Sequence, residues 1–369
     1  MIAVEPVHRV DFGDVVEGNL LDREVSRQRY ERVDIPCVVS LLAGPKVVLL
    51  SHETDYAPPC QARLVTTPPL GVMYQHPLAY LLGLEGLALL RAWGGEFDRD
   101  FVVARLDEVR RLLDEPALAN HPGVEVSARD SRAGYAAWAA TYDAPNTLFA
   151  IDEPAVDEIL DTLAVGDALD AACGTGRFAA RLAARGHRIV GVDSSVEMLD
   201  VARAKLPEVD FRVGDLDSLP LPDASVDLVV CALALSHVPD LVPVMAQFAR
   251  VLRPGGHVVI TDVHHDLVFL GSVTRALGPN GEPGRAPAHR HTPGDFLRAA
   301  LACGLQVRRC EELGRTSSAT PAPEPPAEAI AIGPWDEWPW TLLDVVPAAA
   351  QAAWAIPAVI VWDFERAGA

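Results

Sequence analysis

The segment ALDAACGTGRFAARLAARGHRIVGV, residues 168–192, followed at once by Asp193, is the stretch on which the fold turns. It opens on a short apolar run, 168–171, expected as a buried strand. It then passes through a small-residue turn at Cys173, Gly174, Thr175 and Gly176 and enters a helix expected over 177–185. Glycine lets the backbone take positive φ and lets a ligand approach without meeting a Cβ, and a helix N-terminus presents unpaired N–H groups that favour a negative group. Strand, turn and helix make half of a nucleotide site, and either a carboxylate or a phosphate fits against it.

Outward from this segment the pattern alternates. Strands are expected at 188–192, 210–213, 226–232 and 257–262. Ser194 with Glu197 three residues on reads as a capping box for a helix through Ala204, and a helix over 241–252 is stopped by Pro254, Gly255 and Gly256. Such alternation implies right-handed crossovers and a parallel sheet covered on both faces. Ligands of such sheets lie beyond the carboxyl ends of the strands, where the Gly174–Gly176 turn, Asp193, Asp215, the Cys231–Leu233 stretch and Asp262 all fall.

Further out the signals are more varied. Residues 263–293 read as a loop-rich insertion, followed by a helix over 293–303 and a strand over 305–311. SSATPAPEPPAE is expected as a mobile loop or hinge, and a helix over 342–354 precedes a last strand over 358–364. On the N-terminal side, PLAYLLGLEGLALLRAW at 77–93 is too short to span a bilayer and carries Glu85 at its centre, so it reads as a buried helix. The next helix places Val102, Leu106, Val109 and Leu113 on one apolar stripe. Tyr135, Trp138 and Tyr142 share a helix face that either packs on the core or closes over a ligand. Residues 1–72 read either as a small β-rich appendage or as a weakly ordered extension.

Composition sets bounds. The chain has 369 residues, 50% of them hydrophobic and 22% charged, which is ordinary for a folded globular protein. Its formal charge of −20 repels a phosphate backbone, so a nucleic-acid partner is not expected. Cys37, Cys60, Cys173, Cys231, Cys303 and Cys310 form no C-x-x-C pair, and the start of the chain lacks a basic, then apolar, signal pattern. The expectation is a reduced, cytoplasmic protein with no membrane partner and no resident metal, leaving an oligomer open.

The motifs LDAACGTG at Leu169, GVD at Gly191, GD at Gly214, VDLVVCALALSHVPD at Val226 and RVLRPGGHVVITD at Arg250 occur in order, and from Tyr135 to Asp262 the chain resembles class I S-adenosylmethionine-dependent methyltransferases of the ubiquinone-biosynthesis and small-molecule type. The resemblance implies an α/β fold with a doubly wound, mostly parallel seven-stranded sheet, preceded by an N-terminal extension (1–72) and a helical accessory region (73–130). The methyltransferase domain would then occupy 131–369, with substrate-pocket insertions at 263–293 and 314–356. It also implies S-adenosyl-L-methionine as cofactor. Ala172, Cys173, Gly174 and Gly176 would hold its methionine part, Asp193 with Ser194 its ribose, Met198, Asp215 and Leu216 its adenine, and Tyr142 and Ala232 would flank it. Ala172 departs from the family's first glycine and is expected to tighten the turn without blocking it.

Methyl transfer is an in-line displacement, so the protein supplies orientation, exclusion of water and a base for the acceptor's proton. The base candidates are His237, His264 and His289, each of which reads equally as a hydrogen-bonded pocket wall. A two-histidine, one-carboxylate metal site built from His264 or His265, Asp266 and His289 or His291 is an alternative that the spacing does not specify. Trp335, Trp338 and Trp340 suggest either a pocket for a flat aromatic or apolar acceptor or a plain hydrophobic lid. The expected activity is methylation of a small molecule in biosynthetic, secondary-metabolite tailoring. A nicotinamide-dependent oxidoreductase and a methyltransferase with a peptide acceptor are the competing readings.

Overall fold

The computed structural model describes residues 72–314 and 332–368, apart from positions 273 and 279. The expectations for the N-terminal extension up to residue 71 and for the proline-rich stretch lie outside the described residues.

The described chain begins with a strand, β1 (Met73–Gln75), and the expected buried helix, α1 (Pro77–Trp93), started by a proline whose missing N–H costs nothing in the first turn. Next come α2 (Arg99–Asp114), α3 (Pro116–Ala119) and β2 (Val124–Ala128). The apolar stripe read on α2 is not its buried face. Leu106 and Leu113 are exposed, while Arg105, Glu108 and Leu112 are buried. The cause lies on α1, where Glu85 is wholly buried and its Oε1 accepts from Arg105 Nη1 at 2.9 Å. A buried carboxylate left without a cation is far costlier than an exposed leucine, so the ion pair sets the rotation of α2.

The sheet follows. Helices α4 (Ser131–Trp138) and α5 (Thr147–Leu160) are capped by the side chains of Asp130 and Asn146. Then β3 (Asp167–Ala171), α6 (Arg177–Ala184), β4 (Arg188–Asp193), α7 (Val196–Lys205), β5 (Asp210–Val213), β6 (Val226–Ala232), α8 (Leu241–Val251) and β7 (Leu252–Val263) alternate as the sequence pattern predicts. One cap differs. Ser195, not Ser194, is the N-cap of α7 and accepts from Met198 N at 3.3 Å, because β4 runs on through Asp193 and its carboxylate takes the Ser195 N–H.

The rest of the chain closes the sheet. Inside the insertion lie a short helix, α9 (His265–Phe269), and a two-residue strand, β8 (Gly284–Arg285), which pairs with β2 to make a small sheet in the order β1-β2-β8. After α10 (Pro293–Ala302) and β9 (Leu305–Gly314), the expected single helix over 342–354 is split into α11 (Trp340–Leu343) and α12 (Pro347–Ala353). Pro347 has no N–H to continue a helix but suits the first turn of a new one. The final strand, β10 (Pro357–Arg366), inserts between β7 and β9 and runs antiparallel to both, giving the order β5-β4-β3-β6-β7-β10-β9. This is the expected seven-stranded, mostly parallel, doubly wound sheet.

One face is packed by α5 and α6 through Val156, Leu160, Phe178 and Leu182, and the other by α8 and α10 through Met245, Phe248 and Phe296. A third cluster joins α1 to α11 and α12 through Leu81, Leu84, Leu342 and Ala349. The helical layer is therefore built from residues on both sides of the sheet domain in sequence. The order reverses at β3, which lies between β4 and β6, and the crevice this opens at the strands' carboxyl ends is where the site sits.

Candidate cofactor and acceptor site

The glycine turn is held from several sides. Asp170, buried at the end of β3, accepts from Ala179 N at 2.7 Å and so fixes α6 against its strand. Burial pushes its carboxyl up to about 7. Thr175 Oγ1 donates to Asp143 at 2.7 Å, and Arg177 forks onto Asp152 with both bonds at 2.9 Å while lying over the Phe149 ring. Gly174 and Gly176 take positive φ, 53° and 81°, as the turn requires. Ala172 also lies in the left-handed region, at φ 57°, so the departure from glycine strains the backbone rather than merely tightening the turn.

Beyond the turn lies a cavity of about 520 Å³. Of the residues expected around the cofactor, Tyr142, Ala172, Gly174, Asp193, Ser194, Met198, Asp215, Leu216 and Ala232 border it. Cys173 and Gly176 do not. The Cys173 side chain is buried with Ala179, Leu199 and Phe211, and Gly176 is the N-cap of α6, turned toward Ala202. Asp193 Oδ2 accepts from Gly174 N and Oδ1 from Ser195 N, each at 2.8 Å. Burial raises its carboxyl, while the N–H groups of Ser195, Gly174 and Ser194 pull it back down. The carboxylate is thus a fixed acceptor, suited to hydrogen bonds from the hydroxyls of a ribose.

The charge of the wall tests what the cavity can hold. Asp130, Asp193, Asp215, Asp217 and Asp240 border it, against Arg132 alone among the bordering residues. That field favours a cation such as a sulfonium and opposes a pyrophosphate. The Tyr135 and Tyr142 rings, 6.0 Å apart, add π faces that attract cations. Arg132 Nη2 lies 2.6 Å from Asp215 Oδ1, tying α4 across the cavity edge, so one oxygen of the expected adenine acceptor is already engaged.

Among the three candidate bases, His237 borders the cavity. Its Nδ1 lies 2.8 Å from the Pro287 carbonyl, which can only accept, so Nδ1 carries the hydrogen and Nε2, 2.8 Å from Tyr135 Oη, is the basic nitrogen. Burial lowers the imidazole's pKa and raises the Tyr135 phenol's, so both are neutral. His264 is not part of the cavity wall. It is buried under Glu312, which takes its Nε2 at 3.0 Å, and its Nδ1 accepts from Asp266 N. His289 lies behind His237, its backbone N–H bonded to the Ser236 carbonyl at 2.6 Å.

The cluster His264, His265 and Asp266 brings ligand atoms within 4.8 Å of one another, with Arg290 Nη2 3.0 Å from Asp266. Its histidines belong to α9 and its N-cap, so the expected reach to His289 or His291 is not what assembles it. Trp335 and Trp338 border a second cavity, of about 320 Å³, and Trp340 borders neither of the two. Tyr135, Arg132, Leu233 and Val238 are among the further residues that border the first cavity without having been singled out as site residues. The aromatic stripe had marked Tyr135, but its contact with His237 spans residues 102 apart in sequence.

Residues 169–260 match the methyltransferase domain family. The chain is 40% identical over 93 residues to a malonyl-[acyl-carrier protein] O-methyltransferase of Yersinia pestis, covering 25% of this chain and 35% of that protein. It is also 40% identical over 119 residues to an uncharacterized methyltransferase of Mycobacterium bovis, covering 32% and 49%. The chain thus spans a third to a half of the length of these curated relatives. Among solved structures, an S-adenosylmethionine dependent methyltransferase from Mesorhizobium loti superimposes with a TM-score of 0.41 at 24% identity, over 58% of this chain and 96% of that one. Among the described residues no helix is long and apolar enough to cross a membrane. Sheet order, the Asp193 cleft and the domain match together make this chain a carrier of a class I S-adenosylmethionine-dependent methyltransferase domain.

Proposed function

We propose that this protein methylates a small, largely apolar molecule in biosynthetic tailoring, with the Tyr135–His237 pair taking the acceptor's proton. The observation that carries the reading is that one cavity is bordered both by Asp193, fixed by the N–H groups of Gly174 and Ser195, and by a neutral His237 with its basic nitrogen turned to Tyr135. Leu233, Val238, Pro239 and Pro243 add apolar surface to its wall.

Bound S-adenosylmethionine supplies a methyl group activated by its sulfonium. The chain's residues do the rest. Asp193 orients the ribose, Met198 and Leu216 flank the base, and the Arg132–Asp215 pair holds α4 over the opening and limits water. As the acceptor's O–H or N–H is methylated, its proton passes to Tyr135 Oη and the phenol's own proton to His237 Nε2, leaving an imidazolium supported by the Pro287 carbonyl. The nicotinamide reading is disfavoured by the aspartate-lined wall.

The test is release of S-adenosylhomocysteine, followed by mass spectrometry across a panel of phenols, amines and carboxylates that includes a malonyl carrier-protein thioester, the acceptor named for the Yersinia pestis relative. His237→Gln should lower kcat by about 10²–10⁴ with cofactor affinity unchanged. Because burial lowers the His237 pKa, the acid limb of kcat/KM should lie below the ordinary imidazole value of about 6.5. An unchanged kcat in the variant overturns the assignment.

A further inference from the structure

We propose that Asp143 is a positioning residue for the cofactor, holding the Tyr142 ring over Gly174 through its bonds to Thr175 and Lys205. The proposal rests on the cofactor half of the reading above and is independent of the proton step at His237. Tyr142 lies outside any helix, between a single 3₁₀ turn (Ala139–Thr141) and α5. Its place is therefore set by side chains rather than by a ladder of helical backbone bonds.

The two segments meet in register. Tyr142 and Gly174 both border the first cavity, and a Cβ on Gly174 would stand 3.9 Å from Tyr142 Cε1, so the ring packs against the turn. One residue further along each segment, Thr175 Oγ1 donates to Asp143 Oδ1 at 2.7 Å. Lys205, at the end of α7, closes the triangle. Its Nζ donates to Asp143 Oδ2 and, at 3.2 Å, to the Thr175 carbonyl.

Exposure tells which of these bonds does the holding. The Asp143 and Lys205 side chains are 42% and 41% exposed, and an ion pair so open to water contributes little. Thr175 is fully buried, so its charge-assisted bond to Asp143 is the stronger link. The ring so held presents a π face to a cavity suited to a sulfonium, and fixing it before the ligand arrives lowers the ordering cost of binding. Tyr142 also meets Trp138 and Phe149, with ring centroids 5.2 and 5.5 Å away. Loss of Asp143 thus frees the ring without unpacking the segment.

Titration calorimetry with S-adenosylhomocysteine on the full chain tests this without methyl transfer. Asp143→Ala should weaken binding by about tenfold or more, whereas Asp143→Asn, whose carbonyl oxygen can still take the Thr175 hydroxyl, should stay within about threefold of the unaltered protein. Thr175→Val is the same shape without the hydroxyl and should weaken binding by about three- to tenfold, which covers the case of an alanine variant that does not fold. In a Tyr142→Leu background, Asp143→Ala should cost less than about twofold more, because the ring it acts through is gone. Unchanged affinity in Asp143→Ala or Thr175→Val, an asparagine no better than alanine, or a full tenfold loss in the leucine background would overturn the proposal. Absence of binding by the unaltered chain would remove the cofactor reading, and the proposal with it.

Discussion

At the scale of single residues, the strongest constraint is Asp193. Its two oxygens accept from the backbone N–H groups of Gly174 and Ser195, and an amide cannot reproduce this because half of it is a donor. Asp193→Asn should weaken S-adenosylhomocysteine binding by about 10–150-fold, the worth of hydrogen bonds to a charged group at about 1.5–3 kcal/mol. Calorimetry with the folded variant checks this, and unchanged affinity would remove Asp193 from the site. Ala172 makes the opposite case. An alanine at φ 57° carries about 1–2 kcal/mol of backbone strain, and glycine's greater freedom in the unfolded chain returns about half of that. Ala172→Gly should therefore raise stability by about 0.5–1 kcal/mol, seen as a rise of about 1–2 °C in Tm. A fall in Tm would show that the turn is not strained there. Gly191 was readable as part of a motif, but its reason is spatial: a Cβ there would stand 2.4 Å from the Phe211 ring.

At the scale of elements, the helical pair α1 and α2 shows a buried charge overriding an apolar pattern. Glu85→Leu alone would strand Arg105 and should cost about 3–5 kcal/mol, whereas Glu85→Leu with Arg105→Met should be neutral or more stable by about 1–4 kcal/mol. Denaturant unfolding of both variants decides it, and a double variant as unstable as the sum of its parts would refute the account. The same pair has a pH signature. Burial, more than the charge of Arg105 can offset, raises the Glu85 carboxyl to about 7, well above its unfolded value. The folded state therefore holds the proton more tightly, and the contribution of Glu85 to stability is lost as pH rises from about 4.5 through 7. The double variant should lose that part of the slope. The strands were legible because β6, β10 and the second half of β7 are near-continuous apolar runs. β6 and β10 were bounded to within about two residues, whereas β7 starts at Leu252, five residues before the expected 257, and takes in the Pro254–Gly256 run read as the stop of the preceding helix. The α2 face was not legible, because no local pattern in α2 reveals that Glu85 lies beneath it.

For the whole molecule, the distribution of charge predicts ligand choice. At a concentration about 100 times its Kd, S-adenosylhomocysteine should stabilise the fold by about 2.7 kcal/mol. NAD and NADP should give no thermal shift, because the aspartates around the first cavity oppose a pyrophosphate. A dinucleotide shift with none from S-adenosylhomocysteine would reverse the assignment. The sequence by itself determined the alternating strands and helices, the glycine turn and the acids at the strand ends, since each of these follows from local conformational preference and short-range periodicity. The tertiary structure decided the rest. It put His237, and neither His264 nor His289, on the wall of the first cavity, set Tyr135 against it, kept Cys173 and Gly176 out of the wall, and placed Trp335 and Trp338 around a different cavity from Asp193. These outcomes depend on which chain segments pack against each other, 48 residues apart for His264 and Glu312 and 102 for Tyr135 and His237, and burial and hydrogen-bond satisfaction settle that only once the whole core has closed.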